Sequence, residues 1–139
     1  MAYWLVKSEP SVWSWDQQVA KGAKGEAWTG VRNFIARGHM KEQKKGDLVF
    51  IYHTGKEKQI VGVGEVVKEH YKDPTDEKKI FYATDVIAKH PLKTPVTLAA
   101  IKAEPKLKDM ALVKYSRLSV QPVTAEQWKI VCHMAGKKG

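Results

Sequence analysis

Trp28 stands where a chain has few ways to bury it: glycines at 25 and 30 flank it, and Thr29 follows it directly. A large flat ring held on a glycine-flanked turn makes a stacking platform for a nucleobase, worth about 1–3 kcal/mol per base. The same ring also serves as a plug at one end of a barrel, and the residues alone leave both uses open. Four positions on, Arg32-Asn33 opens an expected helix. Free backbone N–H groups there favour a phosphate, and an asparagine amide suits a base edge. Helix capping by Asn33 competes on equal terms. His53 closes an apolar run at a turn, bonded to backbone or facing a ligand.

Signatures of other chemistries are missing. There is no Gly-x-x-x-x-Gly-Lys-Ser/Thr phosphate loop, and Gly62-Val-Gly64 lacks the third glycine and following helix of a dinucleotide site. The histidines (His39, His53, His70, His90, His133) are far apart, with no i, i+4 pair and no cysteine at ligand spacing. No Gly-x-Ser-x-Gly elbow occurs. Catalytic residues, metal ligands and cofactors are therefore not expected. The lone cysteine, Cys132, lies four residues after Trp128 on an apolar helical face and is expected to fill core rather than attack substrate. A single thiol also points to a reducing compartment.

Charge points to a partner class. Lys and Arg number 24 against 15 Asp and Glu, a net charge of +9. Such a surface attracts polyanions and releases counterions on phosphate contact, which suggests nucleic acid. The N-terminal apolar run is too short for a signal peptide, and no stretch approaches a membrane span, so a cytoplasmic monomer with no membrane partner is expected. Of the five tryptophans, Trp4, Trp13, Trp15 and Trp128 read as core or as helix staples, which leaves Trp28 as the exception.

Elements must hold these residues in place. Residues 3–7 and 48–53 read as strands, the second apolar enough to be buried on both faces. A longer strand, 60–71, carries Gly62 and Gly64, which imply a bulge or a close backbone approach. Another strand follows the polar loop 72–79 and ends near residue 88; Pro91 and Pro95 then read as a rigid connector, and 118–122 as a last strand. Ser14-Trp-Asp-Gln17 and Thr124-Ala-Glu-Gln127 are capping boxes that open helices. A helix over 31–43 presents Val31, Phe34, Ile35 and Met40 as its apolar stripe, Thr97 caps a short helix to about residue 103, and 136–139 reads as a frayed tail. The 139 residues suit one α+β domain built on a bent antiparallel sheet or barrel with short helices at its edges.

Five co-linear stretches carry a resemblance: Tyr3-Trp-Leu-Val-Lys-Ser-Glu-Pro10, Trp28-Thr-Gly-Val-Arg-Asn33, Gly46-Asp-Leu-Val-Phe-Ile-Tyr-His53, Ile60-Val-Gly-Val-Gly-Glu-Val66 and Ser116-Arg-Leu-Ser-Val-Gln-Pro-Val123. In these, in order and over essentially its whole length, the chain resembles the EVE family of the PUA-like superfamily. The resemblance implies a bent β-barrel flanked by helices, with a side pocket that reads a modified base in DNA or RNA, as the related YTH domains read methylated adenine. It makes Trp28 one wall of an aromatic cage beside the strand-end pair Lys7-Ser8, with Ser8 contacting the base edge. It implies Arg32 and Asn33 at the mouth, Tyr52 and His53 at the border, and Ser119 and Gln121 reaching the same cavity. Family members carry Tyr or Phe where Trp13 stands, and Asn-Tyr-Gln-Ala-Arg where this chain has Asn33-Phe-Ile-Ala-Arg37, which leaves the second wall of the cage unassigned.

Two rivals belong to other classes. ASCH domains share the barrel, and some resemble amidohydrolases acting on acylated cytidine; Lys7, Glu9 and Thr54 would then be catalytic, with burial depressing the pKa of the lysine. A PUA-like RNA-binding adaptor would use the basic surface alone.

Overall fold

A computed structural model describes residues 2–136. The chain begins with β1 (Tyr3–Ser8), α1 (Trp15–Ala20) and a two-residue strand, β2 (Glu26–Ala27). Next come α2 (Phe34–Glu42), β3 (Leu48–His53), β4 (Gln59–Lys72) and β5 (Tyr82–Thr97). α3 (Leu98–Ala103), α4 (Ala111–Lys114), β6 (Val120–Val123) and α5 (Ala125–Met134) complete it. Both expected capping boxes form, Ser14 with Gln17 and Thr124 with Gln127, and the Thr97 hydroxyl caps α3. The α+β class is as expected. The tail expected over 136–139 lies, from residue 137 on, outside the described residues.

The strands form one sheet in the order β2-β5-β4-β3-β1-β6. Its pairs are antiparallel except β1 with β3, which run parallel with Lys7 beside Tyr52 and Ser8 beside His53. The parallel pair brings two strand ends, distant in sequence, to one end of the sheet. No pairing joins β2 to β6, so the sheet is mixed and open rather than a closed antiparallel barrel. It is nevertheless strongly bent. Three strands separate β1 from β2, which in a flat sheet is about 19 Å, yet residues 7–9 and 26–30 line one cavity. The bend is built from bulges: the β4–β5 register shifts at four places between Ile60 and Tyr71.

Alternation along the central strands sends side chains to two cores. Leu5, Phe50 and Ile60 face α3, α4 and α5, while Trp4, Val6, Val49 and Ile51 face α2 and Trp28. β3 is thus buried on both faces, as its unbroken apolar run implied. Trp128 stacks on Phe50 at 3.7 Å between ring centroids, and the Trp4 indole N–H donates to the Asp47 carboxylate at 2.9 Å.

Two expectations need correction. Pro91 and Pro95 are not a connector but lie within β5. β2 pairs β5 only at Asp85 and Val86, so further along that edge no strand asks for the missing N–H. The apolar stripe of α2 is also different: the helix starts at Phe34 behind the Asn33 cap, Ala36 and Met40 face the core, and Phe34 and Ile35 are 64% and 65% exposed. At 3.6 residues per turn Ala36 and Met40 share one face, whereas Phe34 and Ile35 lie roughly 120–140° around the helix from Met40.

Gly62 has a positional reason. A Cβ there would stand 2.5 Å from the Trp15 ring, which lies flush against β4. The Trp15 backbone N–H is fixed by the His53 imidazole at 3.0 Å, so the ring has little room to retreat. Gly62→Ala is expected to destabilise the fold by about 1–3 kcal/mol, visible as a lower midpoint in thermal unfolding. An unchanged midpoint would mean that the Trp15 ring moves freely.

Among the described residues no helix is long and apolar enough to cross a membrane.

Candidate functional site

The bend of the sheet closes a cavity of about 380 Å³ between the end of β1 and the segment after β2. Lys7 and Ser8 line it from β1 and Glu9 from just beyond it, Val12 and Trp13 from the turn before α1, and Glu26 to Gly30 from the other side. Two indoles therefore wall one cavity. Trp28 is 7% exposed, and its backbone N–H donates to the Thr84 carbonyl of β5 at 2.7 Å. Trp13 is half-buried. Its indole N–H donates to the Gln18 side chain at 2.8 Å, and its carbonyl accepts the Ser8 hydroxyl. Gln18 is fully buried and donates in turn to the Val86 carbonyl at 2.7 Å, so one amide ties the Trp13 ring to β5.

The Trp28 loop is anchored by a residue far along the chain. Gly30 adopts φ +83, a conformation that favours glycine, and its N–H donates to Asp73 Oδ2 at 2.9 Å. Arg32 donates to the same oxygen at 3.0 Å, while the Thr75 N–H and hydroxyl donate to Oδ1 at 2.7 and 2.6 Å. Burial of Asp73 works to raise its pKa, but the hydrogen bonds from Thr75, Gly30 and Arg32 outweigh it and hold the carboxyl below its usual range.

The expected site residues divide into two groups. Lys7, Ser8 and Trp28 come together in the cavity. Lys7 Nζ also donates to the Ser116 carbonyl at 2.7 Å, and its burial lowers its pKa. The others lie outside this lining. Arg32 is engaged by Asp73 and Thr75, and Asn33 accepts the N–H groups of Ile35 and Ala36 as the α2 cap. Tyr52 is buried on the other side of Lys7, and that burial raises its pKa. His53 accepts the Trp15 N–H on Nε2 and shares Nδ1 with Glu57 at 2.8 Å; this hydrogen bond is the main cause of the lowered Glu57 pKa. The Ser119 carbonyl accepts the Lys7 N–H. Gln121 is fully buried and donates to the carbonyls of Tyr115 and Leu118, shaping the turn into β6.

Trp13 packs against the core as expected and in addition lines the cavity, while nothing in the sequence singles out Glu26 or Asp73. Trp13 carried one usable signal, its position in irregular chain just after the Lys7-Ser8-Glu9 strand end. Asp73 carried none.

Residues 2–134 match the sequence profile of the EVE domain. The chain belongs to the EVE family. This EVE domain is 35% identical to thymocyte nuclear protein 1 of Danio rerio over 92% of its length and 69% of that protein's. Its fold superposes on the NMR structure of Rpa0253 from Rhodopseudomonas palustris with TM-score 0.92 and 67% identity, covering 98% of this chain and 94% of that one. It also matches human THYN1, solved in complex with 5-methylcytosine-containing DNA, with TM-score 0.89 and 30% identity over the whole of both chains. A YTH domain, that of Zygosaccharomyces rouxii MRB1, shares the fold at TM-score 0.59 and 18% identity, over 99% of the EVE domain and 86% of that chain.

Gln18 allows a direct test of the Trp13 wall. In Gln18→Leu the Val86 carbonyl and the Trp13 indole both lose a buried partner, an expected cost of about 2 kcal/mol by urea denaturation. Ligand affinity should fall with it. Full retention of both would show that Trp13 is held by packing alone.

Proposed function

We propose that this EVE domain is a monomeric reader of modified nucleobases in nucleic acid, binding without turnover. The observation that carries the reading is the cavity walled by Trp28 and Trp13, in a chain that superposes throughout on a THYN1 structure holding 5-methylcytosine DNA. An unstacked or flipped base enters, stacks on Trp28 and is read on its edge by the polar groups at the end of β1. Flipping costs a few kcal/mol, least for a base already unpaired. Glu9 and Glu26 are among the residues lining this cavity, and a carboxylate acceptor suits the exocyclic amine of cytosine or adenine over the keto oxygen of thymine. The net +9 charge adds sequence-independent attraction to the backbone. Such work belongs in the cytoplasm of a prokaryote, or wherever a cell keeps its nucleic acid.

The deciding experiment is binding to short oligonucleotides, single- and double-stranded, carrying unmodified, methylated or hydroxymethylated bases at fixed salt. Selective binding of one modified base supports the reading. Equal, salt-sensitive binding of all of them leaves the adaptor.

One observation favours the amidohydrolase. Lys7 has the lowered pKa such a lysine requires, and both Glu9 and Thr54 lie near it. Against this, its amine is already engaged by the Ser116 carbonyl. Release of free acid from acylated cytidine, abolished by Lys7→Ala, would establish the enzyme.

A further inference from the structure

Lys7 is shared by two cavities. Beyond it from the base cavity lies a second, of about 310 Å³, whose lining includes Tyr52, Thr54, Lys58, Lys102 and Ser116. Three lysines and three hydroxyl-bearing residues are among its lining, and no acidic residue is. Like charges gathered without a counter-ion repel one another, and a bound anion relieves that repulsion. Neither Lys58 nor Lys102 takes part in an ion pair among the described residues. The nearby acids are Glu57, hydrogen-bonded to His53, and Glu9, whose carboxylate rests against Gly55.

The backbone around this cavity is fixed. Lys58 is held at φ +46, unusual for a residue with a side chain, and its carbonyl accepts the Leu98 N–H at 2.8 Å. The Thr54 N–H donates to the Ser8 carbonyl at 2.9 Å, which couples this wall to the base cavity. Both cavities are lined by Lys7, so a single nucleotide spanning it would place its base in one and its phosphate in the other.

We propose that the second cavity is a phosphate site, in which Lys7, Lys58 and Lys102 hold the phosphate of the nucleotide whose base lies against Trp28. The proposal rests on the base-reading function of the adjoining cavity for the identity of that nucleotide. A phosphodiester of a strand and the monoester of a free nucleotide present the same chemistry to these lysines.

Inorganic phosphate titrated into the full chain, at constant ionic strength against chloride and followed by amide NMR, tests the site directly. Shifts should centre on Thr54, Gly55, Lys58 and Ser116, and vanish in the Lys58→Gln/Lys102→Gln double variant. The absence of localised shifts in the native protein would overturn the proposal. A second arm compares 5-methylcytidine, its monophosphate, and an oligonucleotide with one internal 5-methylcytosine and no terminal phosphate. The double variant should bind the nucleoside as the native protein does and lose about tenfold on phosphate-bearing ligands, with a salt slope lower by about 1. Loss on the oligonucleotide assigns the site to a strand, and loss on the monophosphate alone assigns it to a free nucleotide. A double variant that binds every ligand normally overturns the phosphate site and leaves base reading intact. Phosphate shifts with no preference for the methylated base do the reverse.

Discussion

Trp28→Ala is expected to weaken binding of the preferred modified base by 1–3 kcal/mol, about 5- to 150-fold in Kd. The ring is one of the cavity's two indole walls, and its loss leaves Trp13 as the remaining aromatic face. At 7% exposure Trp28 is also a core residue, packed with Trp4, Val6 and Val31, so the truncation carries a stability cost of about 3–5 kcal/mol. The two effects separate with Trp28→Phe, which keeps an aromatic face and much of the packing. Affinity should then fall in the order native, Phe, Ala, measured by fluorescence anisotropy on samples shown to be folded by circular dichroism. Discrimination between modified and unmodified base should shrink in the same order. If both variants fold and bind the modified base like the native protein, Trp28 is a plug and the base sits elsewhere.

Asp73→Asn is expected to destabilise the fold from outside the cavity lining. The native carboxylate is fully buried and accepts from Gly30, Arg32 and both donors of Thr75. An asparagine amide turns one acceptor into a donor facing other donors. Removing one partner of a buried ion pair costs about 3–5 kcal/mol; Arg32 is 39% exposed and can recover some hydration, so about 2–4 kcal/mol is expected here. The effect depends on pH with a definite sign. Because hydrogen bonds depress the folded-state pKa, the contribution of Asp73 is present in full above the ordinary carboxylate range. It is lost as pH falls through that range towards the folded-state value. Thermal midpoints of native and variant protein should therefore differ most near neutrality and converge in acid. A constant difference across that range would show that Asp73 acts through packing and not through its charge. Binding should weaken as well, since Gly30 and the Trp28 platform lose their tether.

Local chemistry was legible wherever a residue and its partner lie within a few positions of each other. Ser14 and Gln17, Thr124 and Gln127, and Thr97 with α3 announced their helices because a cap closes its hydrogen bond within one turn. The unbroken run Leu48–His53 announced a strand buried on both faces, because burial is written into composition. Trp28 could be singled out since its flanking glycines leave a large ring without a regular element to hide it. Even so, the residues by themselves leave stacking platform and barrel plug equal.

What the fold alone decided is long-range. The parallel pairing of β1 with β3 sets Lys7-Ser8 beside Tyr52-His53, 45 positions apart at each matched pair, and nothing within either strand specifies that partner. Trp13 packs on the core as its type suggests, and only the bent sheet also sets it across from β2. Asp73 stood in a polar loop with no local partner, and only the folded chain places it under Gly30 and Arg32. Pro91 and Pro95 read as breakers because local rules assume a neighbour on both sides of a strand, whereas β5 has an uncovered edge. Sequence thus determined the elements and one wall of the site, since those depend on contacts within a turn or a strand. Tertiary structure decided the second wall, the anchor of the loop and the lysine cavity beside it, because each is made by residues that meet only when the sheet bends.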